Sequence, residues 1–157
     1  TVSRPDSLSG DGAKSFDAVE HALNFLKIKD GISCLLQPTS PLRIAEDIIS
    51  AFAVFNSGYD SVISLCECEH HPYKTLVLKD SKYQPILRQD FFEKPRQFLD
   101  KAFRINGAIY FSRIEKFLQE KTFFSGKIGY YVMPIERSID IDSESDLIIA
   151  ENILRKI

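Results

Sequence analysis

Apolar positions along the chain switch between helical and extended spacing, and the switches mark its elements. Phe16, Val19, Leu23 and Leu26 recur every three or four residues within KSFDAVEHALNFLKIK, which predicts a helix stopped by Asp30-Gly31. Ile32, Ser33, Cys34, Leu35 and Leu36 then fit a strand covered on both faces. The helical period returns over Ile44 to Asn56, with Ile48, Ala51, Phe52 and Phe55 on one side and Gly58 available as a C-terminal cap, before DSVISL forms another strand. This alternation predicts an α/β fold with a mainly parallel sheet. KTLVLKD and KYQPIL interrupt it, flanking a polar turn at Asp80, Ser81 and Lys82 that reads as a hairpin. Arg88 to Ala102 has no clean period and reads as loop or short helix. Alternation resumes with a strand over Ile105 to Phe111, a helix near Arg113 to Glu120, a strand over Tyr130 to Met133 and a final helix from about Ser143. Ser143 and Asp146 form a capping-box-like pair there, and Ile148, Ile149, Ile153 and Leu154 supply apolar surface.

Composition narrows the function classes. A chain of 157 residues, 44% hydrophobic and 27% charged, suits one domain spanning residues 1–157 with a real core. A net charge of -2 argues against non-specific nucleic-acid binding, which needs a basic face. No apolar run approaches the roughly 20 residues that cross a bilayer, and TVSRPDSLSGDG does not read as a signal peptide, so the cytoplasm is the default. Cys34, Cys66 and Cys68 are an odd set, with Cys34 in the most buried-looking strand, and read as reduced thiols.

Three stretches carry candidate chemistry. The Ile32 strand runs into QPTSPLR, where Gln37, Thr39, Ser40 and Arg43 present polar groups at a strand's carboxyl end, the usual ligand edge of an open α/β sheet. In FRINGAIYFS, Gly107 permits close approach to the backbone. Arg104, Asn106 and Tyr110 there offer either a strand face for a polyhydroxylated ligand or a mid-sheet strand with a satisfied arginine. In SIDIDSESD, extended geometry points Asp140 and Asp142 to one side, which suits Mg²⁺ or simply a polar strand edge entering a helix. Phe123 and Phe124 read as core or as the apolar wall of a pocket. Cys66, Cys68, His70 and His71 are packed too closely to wrap one tetrahedral zinc, and a strand turning at His71-Pro72 is the simpler account.

Taken in order, RPDSLSGD, LLQPTSPLR, HHPYK, KPRQFLDKAFRINGAIY and SIDIDSESDLIIAE resemble the acylneuraminate cytidylyltransferases over nearly the whole chain. The resemblance implies a Rossmann-like nucleotide-diphospho-sugar transferase fold and a transferase that joins CMP from CTP to a sialic acid, releasing pyrophosphate with Mg²⁺ as cofactor. It casts Arg4 as a nucleotide contact, Gln37 as a sugar contact, and Arg96, Arg104 and Asn106 as groups around the sugar acid, partly from a neighbouring subunit. Tyr110, Phe123 and Phe124 would wall the sugar pocket, and Asp140 and Asp142 would hold the metal. The hairpin, within an insertion spanning residues 66–102, resembles the family's dimerisation element and implies a homodimer.

One departure accompanies the match. The family's basic, glycine-containing loop of the form PARxGSKxxxxKN, which cradles the triphosphate, has no counterpart here. The expectation is therefore the greater, C-terminal part of such an enzyme, turning over poorly or not at all alone. Activation of pseudaminic, legionaminic or another nonulosonic acid would share every motif named. Kdo-activating enzymes fit less well, because their loop does not usually read QPTSPLR. A non-catalytic ligand-binding remnant and a hexose-phosphate nucleotidyltransferase on the same fold are the competing classes.

Overall fold

Helix α1 (Ser15–Leu26) forms where the apolar period predicts it, but its stop comes earlier than Asp30-Gly31. Lys27 adopts the left-handed conformation at φ 58°, and the amides of Lys27 and Ile28 return to the carbonyls of Asn24 and Leu23. The computed structural model describes residues 1–10 and 12–155; Asp11, which ends the RPDSLSGD motif, lies outside the described residues.

Strands β1 (Ile32–Leu35), β2 (Ser61–Glu67), β5 (Phe103–Arg113) and β6 (Ile128–Val132) form one sheet in the order β1-β5-β2-β6. β5 runs antiparallel to both β1 and β2, and β2 and β6 are parallel. The sheet is thus mixed, which corrects the mainly parallel expectation. A helical crossover is what makes sequential strands parallel, and no α-helix lies between β2 and β5. The result is an α/β architecture compatible with a Rossmann-like layering. β1, expected to be covered on both faces, has a neighbour on one side only. Ile32 is 45% exposed and Cys34 is exposed as well, alternate residues on the same side of the strand, so one face of β1 is left uncovered.

Helix α2 (Ala45–Asn56) lies on one face of the sheet. Its Ala51 and Phe55 pack with Val62, Ala108, Ile109, Phe111 and Met133 to form the principal core. Gly58, at φ 103°, follows the helix as expected and returns its amide to Phe55. A second cluster joins Leu23 of α1 to Ile114 and Phe117 of helix α3 (Ile114–Glu120), with Phe16 and Phe123 against it. Strands β3 (Leu76–Lys79) and β4 (Lys82–Pro85) form a separate hairpin, closed by Asp80 and Ser81 at φ 50° and 61°, a type I′ signature. The segment 88–102 contains only the short 3₁₀ turns Gln89–Phe92 and Arg96–Phe98. Helix α4 (Glu144–Leu154) starts at the Ser143/Asp146 capping box, yet Ala150 is its only fully buried residue and Ile148, Ile149 and Leu154 remain exposed. No described helix is long and apolar enough to cross a membrane.

One buried ion pair ties these layers together. Asp47, with no exposed surface, accepts from the Ile44 amide at 3.1 Å, the Tyr131 hydroxyl at 3.0 Å and the Arg137 guanidinium at 2.6 and 3.0 Å. Burial alone would raise the Asp47 pKa, but the donors from Arg137, Ile44 and Tyr131 outweigh it and hold the carboxyl below its ordinary value. Because the folded value is the lower one, this carboxylate's contribution is complete above the unfolded value of about 3.9 and is lost as pH falls below it. Asp47→Ala, which strands Arg137, is expected to cost about 3 kcal/mol in urea unfolding at pH 7. Asp47→Asn is expected to flatten the stability loss between about pH 5 and pH 2. A parent-like acid profile in Asp47→Asn would show that this carboxylate does not control the acid limb.

Candidate functional site

The three stretches singled out in the sequence meet at a bulge in β5. Ile63 pairs with Tyr110 and Leu65 with Ile105, so β5 advances five positions where β2 advances two. Gly107, at φ 74°, takes up the excess. The bulge overturns the expectation that Asn106 and Tyr110 share a face. The Asn106 carboxamide accepts from Ser64 Oγ at 2.6 Å, whereas Tyr110 pairs with Ile63, the adjacent residue pointing the other way.

Asn106 is 1% exposed and its amide group is committed internally. Its oxygen also accepts the Ala108 amide at 3.2 Å, and its nitrogen donates to Ser138 Oγ at 2.9 Å and approaches Met133 Sδ at 3.3 Å. This carboxamide is a buried hub that leaves no free group for a ligand. Tyr110 instead packs against Phe123 in a tilted pair with ring centroids 5.1 Å apart, and Phe123 packs likewise against Phe117 at 5.0 Å. Phe123 therefore belongs to the second core cluster, while Phe124 is 43% exposed.

The loop after β1 closes over the bulge. Arg43 donates to the carbonyls of Ala108 at 2.6 Å and Gln37 at 3.3 Å, and Ser40 Oγ donates to the Asn106 carbonyl at 3.4 Å. The guanidinium expected to face a ligand thus clamps loop to strand. Gln37 Nε2 reaches Ser15 Oγ at 3.4 Å, and its Oε1 lies over Gly107. A Cβ at position 107 would meet that oxygen at 2.7 Å and Asp140 Oδ2 at 3.3 Å, so any other residue would displace the Gln37 tip besides straining a backbone at φ 74°.

Residues 138–142 supply the third wall. The sequence predicts a strand here, but the segment is irregular, between a 3₁₀ turn at Ile135–Arg137 and α4. The Ile141 amide donates to the Thr39 carbonyl at 2.8 Å, joining the segment to the β1 loop. Asp140 Oδ1 is buried and has no hydrogen-bond partner among the described residues, a state that a carboxylate oxygen tolerates poorly unless a donor or cation reaches it. Burial, aided by the Asp140 charge, pushes the Tyr110 hydroxyl pKa above its usual value. Asp142 is exposed, and its amide donates to Asp146 Oδ2 at 3.3 Å.

Of the remaining predicted residues, Arg4 and Arg96 lie apart from this junction and Arg104 reaches it only through Ser138. Arg4 bonds the Leu8 carbonyl within its own exposed loop. Arg96 bonds the Glu69 carbonyl and lines two open clefts, of about 440 and 360 Å³, that share Glu67 and Cys68 but contain neither Gln37, Gly107 nor Asp140. Arg104 grips Glu69 through two nitrogens, at 3.0 and 3.2 Å, and donates to the Ser138 carbonyl at 3.3 Å. That hydrogen-bonded pairing holds the Glu69 carboxyl below its usual range. His71 is a turn organiser: its Nε2 meets the Asp100 carbonyl at 2.9 Å and its Nδ1 accepts the Tyr73 amide at 3.2 Å. Sequence reading missed Glu69, Ser64, Ser138 and the Asp47–Arg137 pair. Only Ser138, beside the IDID run, carried a positional hint.

Comparison with known proteins adds a second line of observation. No protein-family model matches the chain. It is 35% identical over 148 residues to an N-acylneuraminate cytidylyltransferase of Streptococcus agalactiae serotype V, covering 94% of this chain and 36% of that protein. An N-acylneuraminate cytidylyltransferase of Escherichia coli O18:K1:H7 is 31% identical, covering 98% of this chain and 36% of that protein. A pseudaminic acid cytidylyltransferase of Campylobacter jejuni serotype O:23/36 is 27% identical, covering 92% and 64%. The chain thus spans about a third of the length of the N-acylneuraminate relatives it matches.

Proposed function

The chain is homologous over nearly its whole length to a segment of the N-acylneuraminate cytidylyltransferases, and from that premise we propose that it forms the sugar- and metal-binding part of a nucleotidyltransferase. The reaction would transfer CMP from CTP to the anomeric hydroxyl of a sialic acid. The observation that carries this reading is the meeting of Gln37, Gly107 and Asp140 at one point, with a buried Asp140 oxygen lacking a partner.

In this reading the anomeric oxygen forms a bond to the α-phosphorus of CTP as the bond to the leaving pyrophosphate breaks, and the hydroxyl proton passes to solvent. Gln37, whose Oε1 lies over Gly107 beside Asp140, would orient sugar hydroxyls there. Tyr110, close enough to Asp140 to feel its charge and backed by Phe123, would give that space an apolar wall. Asp140, with Asp142 nearby in sequence, would hold Mg²⁺, for which hard carboxylate oxygens are suited. Held there, the ion would supply charge neutralisation for the phosphates. No covalent nucleophile is needed, so Ser40 and Ser138, buried and already hydrogen-bonded, are structural.

The β3–β4 hairpin supports a dimeric assembly as part of the same proposal. Leu78 is 64% exposed and Tyr83 74% exposed, with Leu76, Val77 and Ile86 also uncovered, a large apolar area for an isolated two-stranded unit. A second copy of the chain covers this hairpin. Sedimentation equilibrium is expected to give twice the chain mass, shifting to the monomer with Leu78→Glu; a monomeric parent at micromolar concentration would contradict it.

A second acceptor is favoured by one observation, the likeness to a pseudaminic acid cytidylyltransferase. The deciding assay follows Mg²⁺-dependent pyrophosphate release from CTP, with the chain in its native full-length context and a panel of nonulosonic acids. Release with N-acetylneuraminic acid is the expected result, and release with pseudaminic or legionaminic acid alone would move the acceptor. Silence across the panel from folded protein would replace the catalytic reading with a ligand-binding one.

A further inference from the structure

The segment 138–142 owes its place to contacts at its two ends. At the far end, Asp146 Oδ2 gathers the amides of Asp142 and Ser143 at 3.3 and 2.9 Å and the Ser143 hydroxyl at 2.6 Å. At the near end everything converges on Ser138, which is fully buried. Its hydroxyl accepts from Asn106 Nδ2 at 2.9 Å and donates to the Pro134 carbonyl at 2.8 Å, while its carbonyl accepts from Arg104 at 3.3 Å. Arg104 is oriented in turn by the two-nitrogen grip on Glu69, a residue of the cleft beside the junction rather than of the junction itself.

We propose that Glu69, Arg104 and Ser138 form a positioning chain that fixes the Asp140 carboxylate over Gly107. The inference rests on the reading of Asp140 as a cation-holding group and adds the residues that hold Asp140. Asp140 has no hydrogen bond through Oδ1 to hold it, and its oxygen must still pass within the narrow space that Gly107 leaves open. Its orientation is set by backbone anchorage at Ser138 on one side and by the Ile141 amide on Thr39 on the other. Arg104 suits this task because a guanidinium presents several donors in a fixed plane and can serve Glu69 and a carbonyl at once. A lysine ammonium retains the charge but not that geometry. Arg104, expected to be a sugar contact, acts in this account through Ser138.

The test uses the full-length protein and three variants, Glu69→Gln, Arg104→Lys and Ser138→Ala, read in two independent ways. The first is amide hydrogen exchange without metal. All three are expected to speed exchange of the Ile141 amide while the β2–β5 ladder keeps its protection. Glu69 is half exposed, so Glu69→Gln leaves the core intact even if Ser138→Ala does not fold. The second is Mn²⁺ affinity by titration, expected to fall about tenfold or more in the same variants, the usual loss on removing a group that orients a metal ligand. Parent-like exchange at Ile141 in both Glu69→Gln and Arg104→Lys overturns the positioning chain. Faster exchange with a parent that binds no Mn²⁺ upholds the chain and overturns the cation reading. Faster exchange with parent-like Mn²⁺ affinity shows that the segment is held but Asp140 is not, and overturns the proposal. A higher KM for sugar in Arg104→Lys with parent-like exchange returns Arg104 to the role of ligand contact.

Discussion

Gly107 and its left-handed backbone are the constraint from which the rest of the site follows. A five-against-two mismatch between β5 and β2 must be absorbed somewhere, and the residue that absorbs it resets which side chains face which layer. Asn106 turns inward to Ser64 and Ser138, and Tyr110 turns toward Phe123. The bulge itself offers a surface without a Cβ, over which Gln37 and Asp140 close from two other parts of the chain. Any side chain at 107 would combine an unfavourable φ with displacement of the Gln37 tip from its place over the bulge.

Charge is spent on architecture as much as on the site. Arg43 clamps the β1 loop to Ala108, Arg137 neutralises the buried Asp47, and Arg104 spans Glu69 and Ser138. Arg104 and Arg137 each grip a carboxylate through two nitrogens, as a planar donor does, while Arg43 reaches two carbonyls through one. The consequence is a rigid frame around an acidic residue that is itself unsatisfied. That unsatisfied carboxylate is the feature on which the proposed cation site rests.

Much of this was legible in the sequence, for identifiable reasons. Both long helices, the hairpin turn at Asp80-Ser81 and the Ser143/Asp146 cap obey local rules, and the structure contains them. Gly107 was recognisable as a point of close approach, and Gln37 and Asp140 supply that approach. Strand direction was not legible, because apolar spacing does not encode it, and β5 runs against its neighbours. The shared face of Asn106 and Tyr110 failed because a bulge changes parity without changing composition. The apolar run of β1 read as doubly covered, whereas Ile32 and Cys34 share a face that is exposed, and which faces are covered depends on how distant layers pack. Long-range partners such as Glu69 and Arg104, or Asp47 and Arg137, leave no pattern in one sequence.

The central claim is that the β1 loop, the β5 bulge and the Asp140 segment make one cation-dependent site. Paramagnetic broadening of backbone amide signals by Mn²⁺ tests it most directly, because broadening reports distance from the ion without requiring turnover. The account predicts that residues 37–40, 106–108 and 139–142 broaden together at substoichiometric Mn²⁺, while the cleft beside Glu67 and Glu136 stays sharp. Broadening confined to that cleft, or none at these three stretches, would contradict it.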